Sequence, residues 1–176
     1  MRSHVPTLDA DPTMANHDPN ISVRSATINA NDVEAIAALK KAWNVESWGD
    51  HLPNGVLVSP EQALRRLQAA AGSEETYLAE VNGSPVGLAS IRFSPSLDED
   101  APYAEVTQLF VAAEQRRTGV ATRLMSHVES IARSRGCTSI HLITGSSNAA
   151  AQAVYQVAGY EALYLIGFEK FLKPIR

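Results

Sequence analysis

The sequence contains a single cysteine, Cys137, among its 176 residues. One cysteine forms no intrachain disulfide and supplies no cysteine metal cluster, and no spacing of His, Asp and Glu suggests another metal site. Cys137 follows a glycine just before an apolar segment, so we interpret it as a small core residue. We therefore expect neither redox chemistry nor a bound metal.

Long apolar segments are missing as well. No run approaches the roughly 18 residues that span a bilayer, and residues 1–20 lack the basic-then-apolar order of a signal peptide. The net charge of -4 argues against a strongly basic surface for nucleic acid. These absences predict a cytoplasmic protein that binds neither membranes nor nucleic acid.

Two common nucleotide-binding patterns are also absent. The chain has no G-x-x-x-x-G-K-[ST] loop for nucleoside triphosphates and no G-x-G-x-x-G loop for dinucleotides. Without a phosphate-binding lysine of the first kind, or a carboxylate pair for magnesium, ATP chemistry is not expected.

The composition that remains is typical of one soluble globular domain. Hydrophobic residues make up 45% and charged residues 19% of the chain, which is ordinary, and the length suffices to bury a core without covalent staples. Residues 1–20 carry prolines among Asp, Asn and His without periodicity, so we predict a disordered tail, in which Met14 is a candidate for the native start. The folded domain is predicted to cover 21–176.

Apolar periodicity predicts the element order β-α-α-β-β-β-α-β-α-β. Antiparallel strands followed by β-α units favour a mixed α/β fold, with helices on both faces of one sheet. Asn82-Gly83 predicts a hairpin turn that Ser84 lengthens, and 44–58 has the composition of a loop. The predicted strands are 21–28, 76–81, 85–93, Tyr103–Val111, 139–144 and 162–172, and the predicted helices are 31–43, 60–71, 119–135 and 148–158.

The most informative segment runs from Gln115 to Met125. In it, Arg116-x-x-Gly119-x-Ala121 lies between an apolar strand and an amphipathic helix. A strand that turns sharply into a helix leaves N–H groups unpaired at the positive end of the helix dipole, which is a site for phosphate or pyrophosphate. Gly119 and Ala121 let a ligand approach the backbone closely. The segment therefore predicts a cofactor that carries phosphate.

A second motif, S-N-x-x-A-x-x-x-Y-x-x-x-G-[FY], is matched by Ser147, Asn148, Ala151, Tyr155, Gly159 and Tyr160. Together with Arg116–Ala121, which matches [RQ]-x-x-G-x-[GA], it makes the chain resemble the GNAT superfamily of acyl-CoA-dependent N-acyltransferases. The resemblance extends from Ile21 to the C-terminus. It implies a GNAT-type α/β fold with a twisted, mostly antiparallel sheet of six to seven strands, and acetyl-CoA as cosubstrate without a metal.

The resemblance also implies a cofactor site. Backbone groups of Leu109, Phe110 and Val111 would hold the pantetheine arm in the manner of an added strand. Asn148 would hydrogen-bond the pantetheine, and it is equally suited to cap a helix. The pyrophosphate would be cradled by the N–H groups of Arg117, Thr118, Gly119, Val120, Ala121 and Thr122, and Arg116 is a further predicted cofactor-binding residue.

Tyr155 and Glu105 are the catalytic candidates. By resemblance Tyr155 would protonate the departing thiolate; the alternative is a core tyrosine with a satisfied hydroxyl. A lysine-like amine has a pKa around 10.4, so deprotonating it at neutral pH costs roughly 4–5 kcal/mol, and a general base must supply that step. Glu105 is the candidate for this base, and such a base often acts through a water molecule. In an undistorted strand it shares a face with Leu109 and Val111; the alternative is a plain surface carboxylate.

The acceptor is predicted to be a small-molecule amine, with transfer direct because no nucleophilic cysteine or serine is suitably placed. A protein N-terminus or lysine is an alternative acceptor, and a non-catalytic acyl-CoA sensor is an alternative function. Trp48 and His51 lie where the family often builds its acceptor site, although a plain loop is equally compatible. Some members carry a glutamate five residues before the Asn, where this chain has Ile143, and family members often form homodimers.

Overall fold

One five-stranded sheet organises the described part of the chain, which in this computed structural model comprises residues 20–48, 59–97 and 100–163. Its strands lie in the order β1-β2-β3-β4-β5; all neighbours are antiparallel except the parallel pair β4–β5. The elements are β1 Ile21–Ser25, α1 Ala30–Trp48, α2 Pro60–Ala70, β2 Glu74–Val81, β3 Ser84–Ser94, β4 Tyr103–Val111, α3 Val120–Ser134, β5 Ser139–Leu142 and α4 Ala149–Val157.

The predicted mixed α/β fold and mostly antiparallel sheet are confirmed. The described strands number five rather than six to seven, since the predicted strand 162–172 lies outside the described residues from 164 onward. The predicted tail likewise lies outside them up to residue 19.

Two predictions about local structure are wrong. α1 continues to Trp48, so 44–48 is helical rather than loop; this stretch contains no Gly or Pro that would end a helix. Ser84 does not lengthen the hairpin, because it pairs with Val81 in the ladder. Asn82 and Gly83 alone form the turn, with φ of 51° and 80°, and positive φ at both positions matches the twist of the flanking strands.

The two faces of the sheet carry separate clusters of buried side chains. On one face α3 contributes Leu124, Met125 and Val128, all fully buried. Close packing of α3 depends on Gly87 in β3, where a Cβ atom would lie 2.9 Å from the carbonyl oxygen of Phe110 and would crowd α3. On the other face α1 and α2 cover the row Leu78, Leu88 and Phe110. Helices therefore lie on both faces, as predicted.

A buried carboxylate anchors the start of α1 to the edge of the sheet. Asp32 is 1% exposed and accepts hydrogen bonds from both terminal nitrogens of Arg24, at 2.7 and 2.9 Å. The backbone N–H of Thr27 donates a third bond at 2.8 Å. The bonds from Arg24 hold the pKa of Asp32 at about 2.

Candidate active site

β4 contains a bulge that decides which side chains share a face. Ser90 of β3 lies opposite Gln108, whereas the adjacent Ile91 lies opposite Val106, so Thr107 is an extra residue in the ladder. Because side chains alternate along a strand, one extra residue reverses the faces of all the residues that follow.

The bulge separates Glu105 from the residues with which it was expected to lie. The β4 side chains that pack toward α3 are Ala104, Val106, Leu109 and Val111. Those toward α1 and α2 are Glu105, Gln108 and Phe110. The expectation that Glu105 shares a face with Leu109 and Val111 assumed an undistorted strand, and in the bulged strand it is wrong.

β4 and β5 pair only over part of their length. Tyr103–Val106 pairs with Ser139–Leu142, and no described strand continues alongside Leu109–Val111 on that side. Beyond the bulge, β4 therefore borders an opening, which we call the β4–β5 gap.

Backbone polar groups of β4 point into this gap. The N–H of Ala112 donates to the carbonyl of Val86 at 2.9 Å, which identifies a hydrogen-bonded pair of the β3–β4 ladder. Because such pairs alternate with non-bonded ones, Leu109 and Val111 direct their N–H and C=O groups away from β3. This leaves an edge onto which an extended ligand can add like a strand; binding of the pantetheine arm there stays a prediction.

The loop before α3 is shaped as an anion site. Arg117 and Gly119 have φ of 63° and 91°, and Gly119 occupies the N-cap position of α3 without any side-chain cap. The hydroxyl of Thr118 donates instead to the carbonyl of Gln115, at 2.6 Å. Within the described ranges, no side chain accepts a hydrogen bond from the first N–H groups of α3, which therefore suit a phosphate. Beside them lies a depression of about 530 Å³, lined by Asn20, Ile21, Thr118, Gly119, Thr122, Arg123 and Ser126.

Arg116 braces this loop against the rest of the molecule. Its Nε donates to the carbonyl of Val111 at 3.0 Å, and its Nη1 donates to Glu46 of α1 at 2.7 Å. The hydrogen bonds from Arg116 lower the pKa of Glu46. The guanidinium is therefore engaged, and its role as a phosphate ligand stays a prediction.

The second motif forms α4 and its start. Asn148 caps the helix by accepting the N–H of Ala151 at 3.1 Å, which confirms the capping half of its predicted role. Tyr155 is half-buried against the cluster that includes Leu109 and Val111, and burial raises the pKa of its phenol. The hydroxyl therefore keeps its proton at neutral pH, as a general acid requires.

Glu105 belongs to a charged row on the opposite face. Register places Glu74, Arg92, Glu105 and His141 side by side on four adjacent strands. Arg92 donates to Glu105 through Nη2 at 2.7 Å and Nε at 3.0 Å, and this bond raises the pKa of Arg92. The Glu105 side chain remains 26% exposed, so the carboxylate is open to water.

Of the predicted acceptor residues, Trp48 is the last residue of α1 and His51 lies outside the described residues. Sequence reasoning missed Lys40, which lines a cavity under α1 and α2. A signal was available, because Ile36, Lys40 and Trp43 have the i, i+4, i+7 spacing of one helix face.

Among the described residues, no group of three or more His, Cys, Asp and Glu side chains could hold a metal ion. In the same part of the chain, every helix is too short or too polar to cross a bilayer.

The uncapped start of α3 and the free edge of β4 are features that suit an extended ligand carrying phosphate. A family model described as the acetyltransferase (GNAT) family matches residues 40–160. The chain therefore belongs to the GNAT acetyltransferase family and is an acetyltransferase; the family uses acetyl-CoA. The comparison with curated proteins gives no match.

Solved structures with the same fold are distant in sequence. An aminoglycoside acetyltransferase from an uncultured soil metagenomic sample, in complex with sisomicin, has a TM-score of 0.72 at 14% identity, covering 87% of this chain and 97% of its own. The aminoglycoside N-acetyltransferase AAC(6')-Iy in complex with CoA has a TM-score of 0.68 at 20% identity, covering 88% of this chain and 97% of its own. The ribosomal-protein-alanine N-acetyltransferase from Brucella melitensis biovar Abortus 2308 has a TM-score of 0.68 at 18% identity, covering 86% of this chain and 99% of its own.

Proposed function

We propose that the enzyme transfers an acetyl group from acetyl-CoA directly to the amine of a small molecule, with Glu105 as general base and Tyr155 as general acid. The observation that carries the proposal is that Glu105 lies on the α1/α2 face of β4, beside the stretch that borders the β4–β5 gap, whereas Tyr155 packs on the α3 face. An amine can then arrive on one face while the thiolate departs toward the other.

Acetyl-CoA, the acyl donor, is bound mainly by backbone groups. The N–H and C=O groups of Leu109 and the N–H of Val111 face the gap, while Arg116 occupies the carbonyl of Val111. The start of α3 supplies N–H groups for the pyrophosphate. When bound, acetyl-CoA supplies a thioester carbonyl that is activated toward amines. The N–H of Val111 is a suitable donor to that carbonyl oxygen as charge develops on it.

Glu105 supplies the base. Its carboxylate accepts the proton of the acceptor ammonium, directly or through a water, so that the neutral amine can form the new C–N bond. Arg92 fixes the orientation of the carboxylate through two hydrogen bonds. The exposed fraction of the side chain leaves room for the bridging water.

Tyr155 supplies the acid. As the C–S bond breaks, the hydroxyl of Tyr155 donates a proton to the sulfur. The nitrogen of the attacking amine loses its second proton as the amide forms, and this proton returns to the Tyr155 phenolate, directly or through water. The first proton, from the ammonium, leaves from Glu105 to solvent. Burial raises the pKa of Tyr155, so the phenol enters the reaction in its neutral form.

Direct transfer is supported by the state of Cys137. Its thiol lies beyond the C-terminus of α3, and burial raises its pKa, so the nucleophilic thiolate is disfavoured. An acetyl-cysteine intermediate is therefore not part of the proposal.

The acceptor is tested by acetyl-CoA consumption and thiol release against a panel of small amines and peptides. Turnover above hydrolysis with small amines supports the proposal. Turnover with peptides alone would replace the small molecule by a protein substrate. Tight acetyl-CoA binding without any turnover would instead favour a sensor.

A further inference from the structure

A cavity of about 110 Å³ lies between α1, α2 and the sheet, on the face that carries Glu105. One water needs about 10–15 Å³ of such space, so the cavity has room for several non-hydrogen atoms. Its polar floor is the row Thr76, Ser90 and Gln108, which adjoins the charged row containing Glu105.

Two cations and one carboxylate, that of Glu74, line this cavity. Lys40 of α1 donates from Nζ to the side-chain oxygen of Gln108 at 2.9 Å, and its Nζ lies 3.7 Å from the centre of the Trp43 ring. Arg66 of α2 lines the same space. Neither forms an ion pair with a carboxylate of the described residues. An ammonium has three donors, so Lys40 retains hydrogen-bonding capacity for a ligand.

The charge of Lys40 is disfavoured while the cavity holds no anion. Burial and the nearby Arg66 lower the pKa of Lys40 to about 8, and the charge of Glu74 offsets this only in part. Glu74 lies opposite Arg92 in the ladder, where it also acts on that guanidinium. An anion between Lys40 and Arg66 would relieve the repulsion between the two cations.

The cavity is close to the reacting centre. Gln108 contacts Lys40 and immediately precedes Leu109, whose backbone faces the β4–β5 gap, and adjacent Cα atoms are about 3.8 Å apart. A small molecule can therefore reach both places with groups only a few bonds apart.

From this juxtaposition we propose that Lys40 and Arg66 bind a carboxylate of the acceptor, so that the substrates are small amines bearing a carboxylate, such as amino acids. The inference rests on the proposed transfer to a small-molecule amine. It also predicts discrimination against polycationic acceptors, because their further ammonium groups would meet two cations in the cavity.

The test compares amino acids with the corresponding amino-acid amides as acceptors. For the wild type, kcat/KM is expected to favour the acid over its amide. Lys40→Gln should lower kcat/KM for the acid by about tenfold or more, in the range for a lost hydrogen bond to a charged group. The same variant should leave kcat/KM for the amide nearly unchanged. Because the ratio is compared between variants, differences in intrinsic amine reactivity cancel.

The chain provides matched controls one residue away. Lys41 and Arg65 are exposed neighbours that do not line the cavity. Lys41→Gln and Arg65→Gln should leave the acid-to-amide ratio at its wild-type value, whereas Arg66→Gln should lower it. An equal loss for acid and amide in Lys40→Gln, or an acid-to-amide ratio that Arg66→Gln leaves unchanged, would overturn the carboxylate site.

A binding measurement separates this inference from the proposed function. N-acetylalanine and N-acetylalaninamide resemble products and need no turnover, so calorimetry can compare them even if no amine is acetylated. Binding of the acid that is stronger than that of the amide, and lost in Lys40→Gln but not in Lys41→Gln, supports the site. Equal binding of the two, or no binding of the acid at millimolar concentration, contradicts it. Absence of turnover with acid-specific binding would refute the proposed transfer alone.

Discussion

The two faces of the sheet differ in what fills them. The face covered by α3 is apolar and closed, with Leu124, Met125 and Val128 fully buried. The face covered by α1 and α2 is apolar only along the row Leu78, Leu88 and Phe110. Beyond that row it carries polar and charged rows and a cavity. The largest fully buried apolar side chains of α3 thus fill one side, while the polar row of Thr76, Ser90 and Gln108 and the charged row containing Glu105 lie on the α1/α2 side.

This comparison explains how one sheet can serve two ligands. The cofactor is expected to contact mainly backbone groups, which are positioned by the ladder and by the start of α3. The acceptor is expected to contact side chains, which can vary without disturbing the ladder. Substitutions on each side should therefore affect different measured quantities.

The largest effect is expected at the start of α3. Gly119→Trp places a bulky side chain in front of the uncapped N–H groups, so CoA affinity should fall by at least about 100-fold. Gly136→Trp is the control, because Gly136 also has positive φ, at the other end of α3, with open space around it. Calorimetry with CoA measures the effect, and an unchanged affinity for Gly119→Trp would remove the pyrophosphate assignment.

Tyr155→Phe tests the acid on the α3 side. Loss of a general acid should lower kcat by about 100-fold while cofactor affinity is retained. Tyr160→Phe is a matched control, since it removes a second buried phenol hydroxyl whose ring lies 6.1 Å from that of Tyr155. Steady-state kinetics and CoA titration distinguish the outcomes; full activity of Tyr155→Phe would exclude it as the acid.

Glu105→Gln tests the base on the other side. Activity at pH 7 should fall by about 10- to 100-fold and partly recover as the pH approaches the pKa of the acceptor amine, because the amine then loses its own proton. Glu75→Gln is the control. It removes a carboxylate that accepts a hydrogen bond from Tyr77 and forms an ion pair with Arg135, so it should leave the pH–rate profile unchanged. The same profile for wild type and Glu105→Gln would dismiss Glu105 as the base.

Asp32→Asn should weaken the attachment of α1 to the sheet edge. The pKa of Asp32 is about 2 in the folded protein and 3.8 without its partners. This difference contributes about 2 kcal/mol to the free energy of unfolding. Because the folded pKa is lowered, this contribution is complete above the unfolded pKa and is lost as the pH falls from about 4 to 2. Urea unfolding should show a difference from wild type at pH 7 that vanishes near pH 2. Glu34→Gln, an exposed change on the same helix, should show none.

The smallest effect is a gain of stability. Lys40→Met should raise the free energy of unfolding at pH 7 by about 1 kcal/mol, after allowance for solvent screening of the partly buried ammonium. Since the pKa of Lys40 falls from 10.5 to about 8 on folding, the penalty is complete below pH 8 and disappears as the pH rises to 10.5. Urea unfolding of Lys40→Met from pH 7 to 10.5, with Lys41→Met as the control, measures this penalty. A Lys40→Met protein that is less stable than wild type would mean that the ammonium stabilises the fold.

Most elements were predictable from local signals. The strand Tyr103–Val111 has its predicted bounds, and α2 begins at Pro60 with a reciprocal cap between Ser59 and Gln62. The end of α1 was not predictable in the same way. Its last turns contact residues far along the chain. Glu46 forms an ion pair with Arg116, and the Trp43 ring stacks on the Phe110 ring with 6.2 Å between their centroids.

The sequence alone determined the family, the glycine start of α3 and the cap at Asn148, because these depend on residue types at fixed short spacing. The tertiary structure alone decided which side chains meet. The bulge at Thr107 depends on the pairing of β4 with β3, and it moves Glu105 to the face opposite Leu109 and Val111. Lys40 and Arg66 belong to separate helices and line one cavity only because α1 and α2 pack on the same sheet face. Pairing and packing of this kind join residues far apart in the chain, and no local pattern records them.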